Sequence, residues 1–326
     1  MSPEPHPRDG VVVAPRTWTP IASVPGVVDV WRCAPPDRPA IPAQALIELP
    51  HGATELRDYA RLAARMRSRL PDDLGAFFCV NTDVGSPEVG AALAARLAEP
   101  ARYDLARSGL AVLVVRSRLP RTLVDCNRVA EPGSGTGLTG RIPDYVDDAA
   151  DRTLLDVLHG QYCEVATRAW DEVIAAGGHG VSLHSYAPRS VPIERVTHEI
   201  VAQLRAHWAQ PELLPLRPEV DLIHTDGDGA LRADPAWVAA TTAAFGAAGY
   251  QVGQSASYKL HPAAFAGAIA WRAPSQALTI ELRRDLLAAP WDPFVEMTIS
   301  ADKAARAAQA IAMSWPTRPQ HGPPPA

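Results

Sequence analysis

The stretch GGHGVSLHSYAPRS, residues 177–190, decides how the rest of the chain is read. Glycines release into a short apolar run, GVSLH, which ends on His184, Ser185 and a loop containing Pro188. A short apolar run bounded by turn residues predicts a buried strand of a largely parallel sheet. A histidine at the exit of such a strand is either a packed core residue or a ligand held on a rigid platform. Taken alone it fits both.

Outward from this stretch, strand and helix signals alternate over most of the 326 residues. ALIELP (45–50), AFFCV (76–80), LAVLVV (110–115), VDLIH (220–224) and ALTIELR (277–283) read as strands. TLVDCNR follows by a turn at Pro120, and VEMTIS (295–300) comes late in the chain. Helical patterns cover TELRDYARLAARMRSRL, about 148–176, about 192–208, DPAWVAATTAAFGAAG with Asp234 as cap, and about 301–313. SPEVGAALAARLAE opens as a helix should, with Ser86 as cap, Pro87 at the first helical position and Glu88 at the positive end. EPGSGTGLTGRIPD (131–144) is too rich in glycine for regular structure and reads as a long loop. The alternation predicts one α/β domain, residues 11–313, with helices on both faces of the sheet. Residues 1–10 and the proline-rich 314–326 read as disordered tails.

Composition narrows the function classes. At 47% hydrophobic and 21% charged residues the chain can build a sizeable core. A net charge of −5 with no basic block argues against a nucleic-acid or anionic-membrane partner. No segment approaches the roughly 18 apolar residues of a membrane span. Cys33, Cys79, Cys126 and Cys163 have no CxxC spacing, and no secretory signal is visible, so a reduced, cytoplasmic protein is expected.

In open α/β sheets ligands bind beyond the C-terminal ends of the strands. The strand reading delivers polar residues to that end: His51 after ALIELP, Asp83 after AFFCV, then Asp125, Asn127 and Arg128, then His184, with Glu281 near the end of ALTIELR. Two histidines and a carboxylate with an open position suit a catalytic Zn²⁺, although Fe²⁺, Mn²⁺ or Co²⁺ takes the same donors. A further carboxylate can move a proton between water and a leaving amine. Arg128 beside Asn127 offers a forked cation and an amide to a substrate carboxylate. There is no HExxH, so spacing alone only suggests the site.

The ordered set PHG (50–52), NTD (81–83), SRLPRTLVDCNR (117–128), TG in the glycine-rich loop, LHGQY (158–162), LHS (183–185) and IELRRDLL (280–287) resembles the N-formylglutamate amidohydrolase family. That family is related to the zinc carboxypeptidase and aspartoacylase group. The likeness spans about residues 44–287. It implies a single three-layer α/β/α domain with a mostly parallel mixed sheet, zinc-carboxypeptidase-like, and hydrolysis of an amide beside a carboxylate with one divalent metal, Zn²⁺ by default. By position, His51, Asp83 and His184 resemble metal ligands, with Glu55 of HGATE the competing third ligand. Glu281 stands where the water-activating glutamate stands. Asn127 and Arg128 would bind a substrate carboxylate, with Arg118 assisting. The segment GQSASYKLHPAAF (253–265) lacks the family's paired glycines, and Lys259 there would be a further substrate contact. The implied partner is a small carboxylate-bearing amide such as an N-formyl amino acid. A carboxypeptidase-like or cyclic-amide hydrolase, or an inactive metabolite-binding relative, would share these features.

Overall fold

A computed structural model describes residues 21–36, 41–99, 109–129, 139–193 and 195–316. Among them seven strands make one sheet: β1 (Val28–Cys33), β2 (Ala45–Leu49), β3 (Val112–Ser117), β4 (His179–Tyr186), β5 (Val220–Ile223), β6 (Val252–Gln254) and β7 (Ala277–Arg283). Their order is β1-β3-β2-β4-β7-β5-β6. The centre, β3-β2-β4-β7, is parallel; β1 joins β3 and β5 joins β7 antiparallel, and β6 runs parallel to β5. The sheet is therefore mixed and mostly parallel, as expected.

Among the described residues eight α-helices cover it: α1 (Leu56–Ala63), α2 (Leu74–Asn81), α3 (Ser86–Ala98), α4 (Ala149–Ala175), α5 (Ile200–Trp208), α6 (Pro235–Ala247), α7 (Phe265–Arg272) and α8 (Ala301–Ser314). α3, α6 and α8 pack their apolar sides on one face, with Ile47, Val114, Leu183 and Leu282 of the sheet. α1, α2, α4, α5 and α7 build the core on the other face. These are the three expected layers. Asp148 caps α4 by accepting from the Ala150 and Asp151 amides, and Asp234 caps α6 by accepting from Ala236.

Strand parity decides what faces which layer. Val181, Leu183, Ile280 and Leu282 point into the α3/α6/α8 core, so Ser182, His184 and Glu281 point the other way. On β2, Glu48 shares that opposite face and lies fully buried against α4, where Tyr162 and Trp170 reach it. Gly180 allows this packing: a Cβ there would stand 2.4 Å from a Trp170 ring carbon.

Several expectations are corrected. AFFCV belongs to helix α2, not to a strand. Its residues are buried all round, and an unbroken apolar run carries no period by which to tell helix from strand. TLVDCNR is a set of tight turns rather than a strand, with Leu123 N bonded to Pro120 O at 2.9 Å. VEMTIS contributes only a single bridge, Ile299 to Ala288. Ser86 does not cap α3; Gly85 holds the cap position at φ +89° and Ser86 is the first helical residue. The helix expected from 192 begins at Ile200, and α1 ends at Ala63. Strands β1 and β6 and helix α7 were not anticipated. Ser314 ends α8 and Trp315 is buried against Trp237, so neither belongs to a loose tail. Residues 1–10 and 317–326, and the glycine-rich part of the 131–144 loop, lie outside the described residues. No described helix is long and apolar enough to cross a membrane.

Candidate metal and active site

His51 follows β2, Asp83 lies in the tight link between α2 and α3, and His184 stands near the end of β4. All three are buried, and one ligand atom from each comes within 4.8 Å of the others. Asp83 Oδ2 is 2.9 Å from His184 Nδ1 and 3.2 Å from His51 Nδ1, and the two Nδ1 atoms are 3.3 Å apart. Glu55 is not in the cluster: it pairs with Arg57 at 2.5 Å and Arg116 at 3.7 Å. Its position four residues after His51 carries it onto the start of α1, away from β4.

Behind each ring an acceptor fixes its orientation. His51 Nε2 meets Asp125 Oδ1 at 2.7 Å. His184 Nε2 meets Ser182 Oγ at 3.1 Å, and Ser182 is in turn hydrogen-bonded to Glu48. With the Ser182 hydroxyl donating to Glu48, its oxygen accepts from His184 Nε2–H. Both imidazoles, when neutral, then turn an Nδ1 lone pair toward Asp83. In that neutral state two lone pairs and a carboxylate oxygen face one another, the arrangement that a cation in place of the shared proton would meet. Nitrogen and oxygen donors so arranged, each backed by its own hydrogen bond, fit a divalent cation.

Asp83 is further fixed by Arg284. Arg284 Nη2 reaches Asp83 Oδ1 at 3.2 Å and Ser185 O at 2.8 Å, and its Nη1 donates to the Val80 carbonyl. Burial pulls the Arg284 guanidinium down to about 10, against the attraction of Asp83. Burial would raise the Asp83 carboxyl, but the flanking imidazoles overcome it and hold it well below the usual carboxylate range. Burial would lower His184, and its bond to Asp83 raises it instead.

Glu281 lies directly across from His184 in the β4–β7 ladder. Its Oε2 is buried without a hydrogen-bond partner. Burial raises its carboxyl above the usual range; the His184 side opposes this and Asp83 reinforces it. His51, His184 and Glu281 open on one cavity of about 250 Å³.

Of the expected substrate contacts, Asn127, Arg128 and Lys259 line that cavity. Asn127 Oδ1 accepts from Ala266 N at 3.0 Å, which leaves its Nδ2 as donor. Arg128 donates to Thr139 O at 3.0 Å and Asn127 O at 2.9 Å, with Asp125 at 3.6 Å. Arg118 is not there: it pairs with Asp29 at 3.5 Å and Asp58 at 3.4 Å, because the turn at Pro120 sends it toward β1 and α1. The cation of that turn which does line the cavity is Arg121, 3.2 Å from Asp125. His159 of α4 faces the backbone of Arg128 rather than the cavity, and burial lowers its pKa. Cys126 is fully buried beside Ser117, its thiol pushed up by burial, consistent with packing.

One further cavity residue, Arg217, carried no signal of its place in the sequence. Arg217 lines the cavity with its guanidinium 5.0 Å from the Tyr186 ring and 5.2 Å from the Tyr258 ring. Glu48, by contrast, had a readable one: a carboxylate in the middle of an apolar strand requires buried donors.

A mixed α/β sheet between two helical layers is also the fold of proteins whose structures have been solved. A crystal structure of N-formylglutamate amidohydrolase from Ralstonia eutropha JMP134 shares it, with a TM-score of 0.53 at 16% identity, covering 88% of this chain and 96% of its own. A gene product of Agrobacterium tumefaciens, Atu2144, aligns with a TM-score of 0.50 at 19% identity, over 86% of this chain and 89% of its own. No family model matches the sequence, and no curated protein matches it either.

Proposed function

We propose that the protein is a metal-dependent amidohydrolase acting on a small carboxylate-bearing amide of the N-formyl amino acid class, of which N-formylglutamate is one example. One observation carries the reading. The His51–Asp83–His184 cluster and the unpartnered Glu281 oxygen meet at a single cavity that also holds arginines. The shared fold with a solved N-formylglutamate amidohydrolase supports the same chemistry.

His51, Asp83 and His184 would hold the ion, Zn²⁺ by its donor preference. A bound divalent cation supplies Lewis acidity, activating water and polarising the amide carbonyl. Glu281 accepts the proton of the attacking water at Oε2, a role suited to a carboxyl raised by burial. It returns that proton to the nitrogen as the C–N bond breaks, leaving a carboxylic acid and an amine. Asn127 Nδ2 and the guanidiniums of Arg128 and Arg121 hold the substrate carboxylate, and Lys259 closes the cavity from the 253–265 segment.

The test is metal content by elemental mass spectrometry on wild type and His184→Ala, both purified without chelator, followed by a panel of N-formyl amino acids, short peptides and lactams. Near-stoichiometric metal in wild type, lost in the variant, with turnover of N-formyl amino acids, is expected. Metal absent from both, with no thermal stabilisation on adding Zn²⁺, would overturn the reading.

A further inference from the structure

The cavity has a second wall of a different kind. Phe77 and Val80 of α2, Ile200 and Leu204 of α5, and Val191 and Ile193 between β4 and α5 line it together with His184 and Ser185. These side chains are anchored: Phe77, Val80, Ile200 and Leu204 are 5, 8, 1 and 4% exposed, and Val191 and Ile193 pack on the same core. Arg284 ties the Val80 carbonyl to Asp83, so α2 and the cluster are held as one piece. The cations Arg121, Arg128, Arg217 and Lys259 come from other segments of the chain. Arg189 also lines the cavity, and its Nη1 donates to Leu214 O at 2.7 Å.

An acidic side chain laid on these six apolar residues would lose hydration and find no partner among them, whereas an alkyl or aromatic group there would be taken out of water. We infer that the preferred substrate carries, besides its carboxylate, a bulky apolar group that seats on this wall. This rests on the amidohydrolase reading and sharpens its substrate class. The group belongs either to the amino acid's side chain or to the acyl part of the amide, and the two sources are separated experimentally.

The Zn²⁺-loaded 326-residue chain is assayed with N-formylalanine as reference, N-formylleucine and N-formylphenylalanine for a side-chain source, N-hexanoylalanine for an acyl source, and N-formylglutamate. The expected result is a kcat/KM about 10-fold or more above the reference in one apolar arm, the scale set by filling a hydrophobic pocket. Leu204→Ala and Val191→Ala should each reduce that ratio by about 5-fold, the scale of losing a few methylenes from such a pocket, with folding checked by thermal melts. N-formylglutamate turned over best, or a ratio unmoved in the folded variants, overturns the inference while leaving the amidohydrolase reading intact. No turnover of any member overturns that reading and the inference with it.

Discussion

His184 and Glu281 are partners in register across β4 and β7, their backbones hydrogen-bonded in one parallel ladder. One supplies a nitrogen to the cluster and the other a carboxyl beside it, with no loop between them to blur the geometry. Glu281→Gln keeps the shape and removes the proton acceptor. It is expected to retain metal and fold while lowering kcat by about 10²- to 10⁴-fold, the span of general acid–base contributions. Turnover within a few-fold of wild type would remove Glu281 from proton transfer.

Asp125 stands behind His51 at 2.7 Å and also accepts from the Asn127 amide at 2.9 Å. It therefore fixes the His51 ring and the Asn127 backbone together. Asp125→Asn is expected to weaken Zn²⁺ binding by about 10- to 100-fold, the range for such supporting carboxylates. Competition with a chromogenic chelator measures it, and an unchanged affinity would show that His51 needs no such support.

Glu48 collects Tyr162 Oη at 2.7 Å and Trp170 Nε1 at 3.2 Å. Glu48→Ala strands both donors in the core and opens a cavity. A loss of about 3 kcal/mol is expected, from unsatisfied buried polar groups and lost packing together. Denaturant titration reads it, and Glu48→Gln should recover a substantial part.

Acid stability is expected to depend on Asp151. Its Oδ2 accepts from Arg67 N at 2.7 Å, Ser68 N at 2.7 Å and Ser68 Oγ at 2.8 Å. Burial would raise the carboxyl, but these bonds hold it below the usual range. A carboxyl depressed in the folded state stabilises fully above its unfolded pKa of about 3.9, and that contribution disappears as pH falls through the folded value. The stability gap between wild type and Asp151→Asn should therefore be widest near neutrality and close below about pH 4. A gap that stays constant on acidification would contradict this.

Much of the site was legible because its residues flank strands with clear signals. ALIELP, GVSLH and ALTIELR are strands in the structure, and they bring His51, His184 and Glu281 together. Asp83 arrives at the cluster by a different route from the one read. The run AFFCV reads as a strand because Phe77, Phe78, Cys79 and Val80 are all buried, which leaves no polar stripe to mark helix α2. Glu55 and Arg118 lie outside the cluster and the cavity for a local reason: each is a few residues from a residue that is there, but chain direction turns it into an ion pair elsewhere. Arg217 was unreadable because its place beside Tyr186 and Tyr258 exists only after β5, β4 and the 253–265 segment have been brought side by side.

The alternation of side chains along β4 has a consequence for how the gene can change. Ser182 and His184 serve the cluster, while Val181 and Leu183 between them serve the opposite core. A single-codon deletion ahead of His184 within this strand would exchange the two sets. Histidine would enter the α3/α6/α8 core and leucine the cavity, so stability and chemistry would fail in one step. Insertions and deletions should be tolerated in the surface connections of this protein, and in β4 only point substitutions remain open to it.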